Sequence, residues 1–312
     1  MSGCAAAARV GGSLIPFGCT RFEPTNLLCN PRRVGALVLV NGQIDNRVEW
    51  CDRGFQYGDG VFTTLPICSG RAAFLDRHLA RLANDCGRLG IPFRCASEVA
   101  AEANQLCRHN PNGVLKIQIT RGPGGRGYRP PGQPQPTRVL SVHKGSDYDP
   151  SLWLQGVTVR MCSNRLGCNS ALAGIKHMNR LEQILARAEW HVETVHEGLM
   201  LDQEGFLIEG TMSNVFLARG GRLVTPKLDR CGVAGIMRSL VIETARQQGI
   251  AVEERPIPPA ELVHAEEVFL TNSNIRVWPV SRLESVPLPI GPLTRRLLDL
   301  IDTRFGSEEV DL

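Results

Sequence analysis

Three short stretches of this 312-residue chain carry reactive side chains in unusual settings. Lys176 lies in Ala173-Gly174-Ile175-Lys176-His177-Met178-Asn179-Arg180, an amine flanked by apolar Ile175 and Met178. Glu209 lies in Ile208-Glu209-Gly210-Thr211-Met212-Ser213-Asn214, a carboxylate heading a polar run that ends at Val215-Phe216. Gly232-Val233-Ala234-Gly235-Ile236-Met237-Arg238 places glycine where a helix begins, so the backbone N–H groups of Gly235 and Ile236 can seat an anion. Each has an ordinary reading alone: an exposed lysine, a strand-end glutamate, a turn glycine. Together, an amine, a carboxylate and an anion cradle are what an enzyme built on pyridoxal phosphate must supply. The amine makes the imine, the carboxylate faces the pyridine nitrogen, and the cradle takes the phosphate.

Those groups must be held by surrounding elements. Residues 36–40 read as a strand ended by the turn pair Asn41-Gly42. Val61 to Ile67 is a second strand, Ser69-Gly70 turns it, and Ala73-Phe74-Leu75 begins the return. Leu79, Leu82, Ala83, Cys86 and Leu89 give residues 76–89 a helical face. Residues 97–108 repeat it more weakly, with Ser97 as the cap. Residues 114–120 alternate as a strand, 121–132 must be loop, and 137–142 is again a strand. Further on, a strand at 157–159 and a helix at 179–193 precede two hairpins. The first pairs 199–201 with 206–208; the second pairs 214–218 with 222–225 around Gly220-Gly221. A helix at 235–247, a strand at 268–271 and a terminal helix at 293–305 complete the chain. Short antiparallel hairpins with helices between them predict an α+β fold rather than a doubly wound parallel sheet. The expected division is a flexible extension over 1–35, a small α+β domain over 36–145, a linker over 146–152, a larger domain over 153–306 and a tail over 307–312.

Composition excludes several classes. The 35 Lys and Arg are interleaved with 31 Asp and Glu, and the net charge of +4 is too dispersed for a nucleic-acid surface. The odd count of 11 cysteines, with no CxxC and no Cys/His metal-ligand spacing, points to reduced thiols in a cytoplasmic protein and to no metal. No apolar run approaches the length of a membrane span.

The chain resembles the fold type IV pyridoxal phosphate enzymes over roughly residues 36–305. The resemblance begins at Asn41-Gly42 and Asp52-Arg53-Gly54-Phe55-Gln56-Tyr57-Gly58-Asp59-Gly60-Val61-Phe62. Within that family, the aminodeoxychorismate lyases are most similar at Gly60-Val61-Phe62-Thr63-Thr64, at Thr120 to Tyr128 and at Leu172 to Gln183. The resemblance implies two domains with pyridoxal phosphate between them, and a homodimer in which loops of one subunit cover the other's site. The implied reaction turns 4-amino-4-deoxychorismate into 4-aminobenzoate and pyruvate, as part of folate synthesis in the cytoplasm. An aminotransferase for D-amino or branched-chain substrates is the alternative on the same scaffold.

The resemblance assigns roles residue by residue. Lys176 matches the Schiff-base lysine, and Glu209 the partner of the pyridine nitrogen. Arg81 matches the arginine that holds the phosphate, although from its residues alone Arg81 reads as a helix-surface side chain. Gly235 and Ile236 add backbone donors, and Asn272 or Ser273 adds phosphate or ring contacts, with the choice open. Thr63 and Thr64, plain β-branched strand residues otherwise, come near the substrate, where one donates a proton or positions the leaving group. Arg121, Arg126 and Tyr128 lie in a glycine-rich loop without the Lys-Ser/Thr ending of a nucleotide loop, and are expected to bind the substrate carboxylates. His177 reads as structural, and Asn214 as a hydrogen bonder behind the reacting groups.

Overall fold

The computed structural model describes residues 37–310, so the extension expected over 1–35 lies outside the described residues. Strands β1 (Val38–Val40), β2 (Gln43–Ile44), β3 (Gly60–Cys68), β4 (Arg71–Ala72), β5 (Gly113–Thr120) and β6 (Arg138–His143) form one antiparallel sheet in the order β2-β1-β6-β5-β3-β4. A short helix α1 (Arg53–Tyr57) leads into β3, and α2 (Leu75–Leu89) and α3 (Ala96–Arg108) cover one face. Successive strand residues point to opposite faces, so Val61, Leu65 and Ile67 of β3 meet Leu82 and Cys86 of α2, along with Ile117 and Ile119 of β5. Thr63 belongs to that same inward row, directly opposite Ile117. The expected cap at Ser97 is displaced: α3 starts at Ala96 after Cys95, and Ser97 Oγ donates to Glu98.

The second sheet is larger and curled. After α4 (Ser151–Gln155) come β7 (Val157–Leu166), α5 (Leu181–Arg187), β8 (Glu197–Asp202), β9 (Leu207–Gly210), β10 (Asn214–Arg219) and β11 (Arg222–Pro226). There follow α6 (Ile236–Gln247), β12 (Val252–Arg255), β13 (Glu267–Asn272), β14 (Arg276–Leu283), β15 (Val286–Pro287) and α7 (Pro292–Val310). The strand order is β12-β11-β10-β13-β14-β7-β8-β9, with β15 beside β14. Leu207 N–H, at the β9 edge, donates to Ile257 O just past β12 at 2.8 Å, which draws the two ends of the sheet together. Met237, Leu240 and Val241 of α6 pack with Leu297 and Ile301 of α7 against Phe216 and Phe269, whose rings stack 5.0 Å apart. No described helix is long and apolar enough to cross a membrane.

The α+β class is as expected, and both predicted hairpins form. Three features differ. β7 pairs in parallel with β14 and β8, and β11 with β12, so the sheet is mixed. The helix expected over 179–193 is cut to Leu181–Arg187. Beyond it Trp190 is buried against Cys162 and Met200, with its indole N–H on Val195 O at 3.1 Å, and the chain must turn to put it there. α7 runs on to Val310, through part of the segment expected as a tail.

Candidate active site

Residues 172–180 have no regular structure and run between the two sheets. At one end Gly174 N–H donates to Gly232 O at 2.9 Å, and Gly174 O accepts from Ala234 N–H at 3.0 Å. At the other, Phe62 N–H donates to Lys176 O at 3.0 Å and Met178 N–H to Gly60 O at 2.9 Å. The Lys176 N–H itself is taken by Asp85 Oδ2 of α2 at 3.1 Å. Gly174 sits at φ +80°, a left-handed turn that a side chain would strain. The lysine backbone is therefore fixed from both sheets and from α2.

The Lys176 amine lies 4.6 Å above the Phe62 ring, in a cavity of about 320 Å³. Thr64, Arg81, Arg180, Gln183, Glu209, Gly235, Ile236, Asn272 and Ser273 share its wall. Burial, helped by the cations Arg81 and Arg180, pushes the amine down to about 7. An amine that is half neutral near pH 7 serves as nucleophile and as base.

Glu209, buried at the end of β9, faces the same space. Val233 N–H donates to its Oε2 at 2.8 Å and Gln183 Nε2 to its Oε1 at 3.4 Å. Burial raises its carboxyl, while the Val233 N–H, Arg180 and Lys176 favour the charged form. Val233 is itself held, its carbonyl accepting from Asn214 Nδ2 at 2.9 Å. Asn214 thus steadies the residue whose N–H holds Glu209. The turn after Glu209 rests on buried Glu197, which accepts from Thr211 Oγ1 at 2.6 Å, Ser213 Oγ at 2.8 Å and Met212 N–H at 3.1 Å.

The remaining wall suits an anion. α6 begins after Gly235 with no side-chain cap, so its first N–H groups have no side-chain acceptor, and the helix dipole adds partial positive charge. A Cβ on Gly235 would lie 2.2 Å from Asn214 Oδ1, so a side chain there would displace the Asn214 amide. Arg81 Nη2 donates to Thr63 Oγ1, while its Nε is buried with no protein partner. Burial pushes this guanidinium down to about 10, still charged at neutral pH. Between Asn272 and Ser273, the Asn272 side chain is spent on the turn. Its Oδ1 accepts from the Asn274 and Ile275 N–H groups at 2.8 and 2.9 Å, and its Nδ2 donates to Met212 O at 3.1 Å. Ser273 is the better placed of the two to meet a ligand.

Several expected site residues lie elsewhere. Thr63 is fully buried on the helix side of β3, and only Thr64 reaches the cavity with Phe62. Strand alternation forbids both threonines from facing one ligand. Arg121 is also off the wall: it grips Asp59 at 2.7 and 3.0 Å and donates to Leu89 O and Gly90 O, each at 2.8 Å. With those donors engaged, it braces the fold. Arg126 is exposed, and Tyr128, 85% exposed, sits edge-on to Tyr57 at 5.7 Å. Neither reaches the cavity. His177 bridges to Val61, and burial pushes its ring down to about 4, in keeping with a structural place.

Sequence reasoning passed over Arg180, Gln183, Asp85 and Glu197. The first two follow Lys176 on the way into α5; Arg180 Nε donates to His177 O at 2.9 Å. A cation four residues past a suspected imine lysine is the signal that could have found Arg180. Folding also gathers Cys168, Cys231 and Asp202 within 4.8 Å, a cluster invisible in their spacing. Arg230 donates to Cys168 Sγ at 3.5 Å and lies 4.0 Å from Asp202 Oδ2, so a cation already balances the group.

An amine, a partnered carboxylate and an anion seat with an unpaired guanidinium nitrogen fit a phosphate-bearing aldehyde with a basic ring nitrogen. Comparison with known proteins agrees. A curated aminodeoxychorismate lyase from Vibrio harveyi is 35% identical over 85% of this chain and 99% of its own length. A putative branched-chain-amino-acid aminotransferase from Methanocaldococcus jannaschii is 28% identical over 88% of this chain and 99% of its own. The crystal structure of 4-amino-4-deoxychorismate lyase from Pseudomonas aeruginosa superposes with a TM-score of 0.83 at 44% identity, covering 86% of this chain and 98% of that one. The profile of the family described as amino-transferase class IV matches residues 60–283, a span that holds the lysine, the carboxylate and the anion seat alike, and the chain belongs to that family.

Proposed function

We propose that this protein is a pyridoxal-phosphate-dependent lyase that converts 4-amino-4-deoxychorismate to 4-aminobenzoate and pyruvate in the cytoplasm. The observation that carries the reading is the convergence of Lys176, Glu209, Arg81 and the uncapped start of α6 on one cavity. The lyase reaction is favoured over transamination because the Vibrio harveyi and Pseudomonas aeruginosa lyases are 35% and 44% identical, against 28% for the Methanocaldococcus jannaschii aminotransferase and 30% for an aminotransferase-like protein of Arabidopsis thaliana.

Lys176 would hold the cofactor through its amine, Glu209 through the ring nitrogen, and Arg81 with Gly235, Ile236 and Ser273 through the phosphate. Bound pyridoxal phosphate supplies an electron sink for the pair left when the amine-bearing ring carbon loses its proton. Lys176 is the base for that proton, which requires its nitrogen to come within about 3 Å of the carbon or to act through one water. Glu209, fixed by the Val233 N–H, would keep the ring nitrogen protonated. The reaction removes one proton from the ring carbon, breaks the enolpyruvyl C–O bond and returns one proton to the departing group. It consumes no water, so the site needs one base and one acid. Thr64, which lines the cavity from the first sheet beside Phe62, is the hydroxyl we assign to the leaving group.

A second copy of the chain completes the site. Leu181, Ile184 and Leu185 leave an apolar stripe exposed on α5, and Trp50, Phe55 and Tyr128 leave another around α1. A two-fold dimer burying these faces would bring the exposed Arg126 and Tyr128 to the partner's cavity as carboxylate ligands. The expected division into domains over 36–145 and 153–306 belongs to the same reading. The purified protein is tested with 4-amino-4-deoxychorismate beside Lys176→Ala. Equimolar 4-aminobenzoate and pyruvate from the unmutated protein alone are expected. Amino transfer from D-alanine or a branched-chain amino acid to a keto acid, with no 4-aminobenzoate, would establish the aminotransferase instead.

A further inference from the structure

The geometry points to Thr63 and His78 as positioning residues that lock Arg81 in its cavity-facing pose through a one-way hydrogen-bond chain. The inference rests on the reading of Arg81 as a phosphate ligand. Thr63 faces away from the cavity and is wholly buried, yet its hydroxyl is not a passive core group. His78 and Arg81 lie three residues apart on α2, one turn of helix, so both side chains descend on the same strand residue. Arg81 Nη2 donates to Thr63 Oγ1, and Oγ1 stands 2.5 Å from His78 Nδ1.

A hydroxyl has one proton. Arginine only donates, so Thr63 accepts from Arg81, and among the described residues His78 Nδ1 is the one acceptor within reach of the threonine's own proton. That direction makes His78 the Nε2–H tautomer and neutral; its Nε2 is buried with no partner. A charged imidazolium would place an N–H against the hydroxyl that already accepts from Arg81, stranding the threonine proton and setting two cations around one oxygen. Burial and the neighbouring Arg81 and Lys176 charges hold the His78 ring well below its ordinary value, which keeps the chain in its working direction. Arg81 is thereby tied at Nη2 while its Nε stays unpaired for a ligand. Without the tie, ordering this long side chain would fall on the ligand.

The test compares cofactor affinity with and without the phosphate. The full-length protein, freed of cofactor, is titrated with pyridoxal phosphate and with pyridoxal, for the unmutated chain and for Arg81→Met, Thr63→Val, Thr63→Ser and His78→Leu. Expected is a loss of about tenfold or more for pyridoxal phosphate in Arg81→Met, Thr63→Val and His78→Leu, the scale of one charge-assisted hydrogen bond. Pyridoxal affinity should move less than about twofold, and Thr63→Ser, which keeps the hydroxyl, should bind pyridoxal phosphate as the unmutated chain does. If Arg81→Met loses phosphate selectivity but Thr63→Val keeps it, the positioning role is overturned and the phosphate role of Arg81 stands. If Arg81→Met itself keeps selectivity, the reading of Arg81 fails and takes this inference with it. An equal loss for both ligands in Thr63→Val, unrescued by serine, would mean that the hydroxyl serves packing alone.

Discussion

The depressed Lys176 amine makes a sharp prediction about how the cofactor-free protein takes up its cofactor. Only an unprotonated amine bonds to an aldehyde, so the uptake rate follows the neutral fraction of Lys176. With the amine at about 7, burial being the first cause and the Arg81 and Arg180 charges the next, roughly 9% is neutral at pH 6 and roughly 91% at pH 8. The second-order rate should rise about tenfold from pH 6 to pH 8 and then flatten. An ordinary lysine near 10.4 would be neutral to less than about 1% at pH 8, and its rate would keep climbing tenfold per unit with no plateau. Stopped-flow uptake of pyridoxal, which has no phosphate to titrate, isolates the lysine. Arg180→Met removes one of the cations that depress it, so the plateau should move to higher pH. A rate still climbing tenfold per unit through pH 9 in the unmutated protein would refute the buried-amine account.

Lys176→Met should stabilise the cofactor-free protein, because the buried amine is protonated more easily in the unfolded chain. The effect, at most about 5 kcal/mol for a drop from 10.5 to about 7, is full below pH 7, shrinks from 7 to 10.5 and vanishes above, and melting curves at pH 6 and pH 10 read it. Arg121→Met should lower stability by about 3 kcal/mol, the low end for breaking a buried ion pair because Arg53 still holds Asp59 at 2.8 Å; a raised KM with an unchanged denaturation midpoint would return Arg121 to the substrate. Gly235→Ala should weaken cofactor binding at least about tenfold, since its Cβ would meet Asn214 Oδ1 at 2.2 Å and Asn214 is pinned to Val233 O; cofactor titration measures it. Ile184→Asp should convert a dimer to monomer by light scattering, and an unaltered mass would place the interface away from α5.

The legible parts of this chain were those fixed by local period. Alternation in Val114 to Thr120 and the leucine spacing of α2 located β5 and α2 within a residue or two. The parallel neighbours of β7 were not legible, because β14 and β8 are brought to it by the curl of a whole sheet, which no local pattern encodes. The same limit governed the site. Lys176, Glu209 and the Gly235 turn each read as ordinary alone and stood out only together and through the family resemblance. Arg121 has the same chemistry as a carboxylate ligand, and only the fold reveals that Asp59 and two carbonyls consume its donors. The threonines are the instructive case. Period 2 alone separates Thr63 from Thr64, so one of the pair had to be buried, but which one depends on where α2 lies.

That separation shows how the first sheet serves the site although most of the cavity belongs to the second. Residues of β3 that face the cavity, Phe62 and Thr64, touch the lysine side of the ligand space. Between them Thr63 reaches the opposite way and holds the arginine of α2. Asp85, four residues beyond that arginine on the same helix, holds the Lys176 N–H. Arg81, the side-chain part of the anion seat, and the lysine backbone thus share one anchor on α2. A substitution that loosens α2 against β3, such as Leu82→Ala, should therefore weaken cofactor binding while leaving the depressed lysine profile in place. A substitution that cuts only the Asp85 contact, Asp85→Asn being the mildest, should disturb the lysine and spare phosphate selectivity. Uptake profiles and the comparison of pyridoxal with pyridoxal phosphate distinguish the two, and a loss of both properties in both variants would contradict a shared but separable anchor.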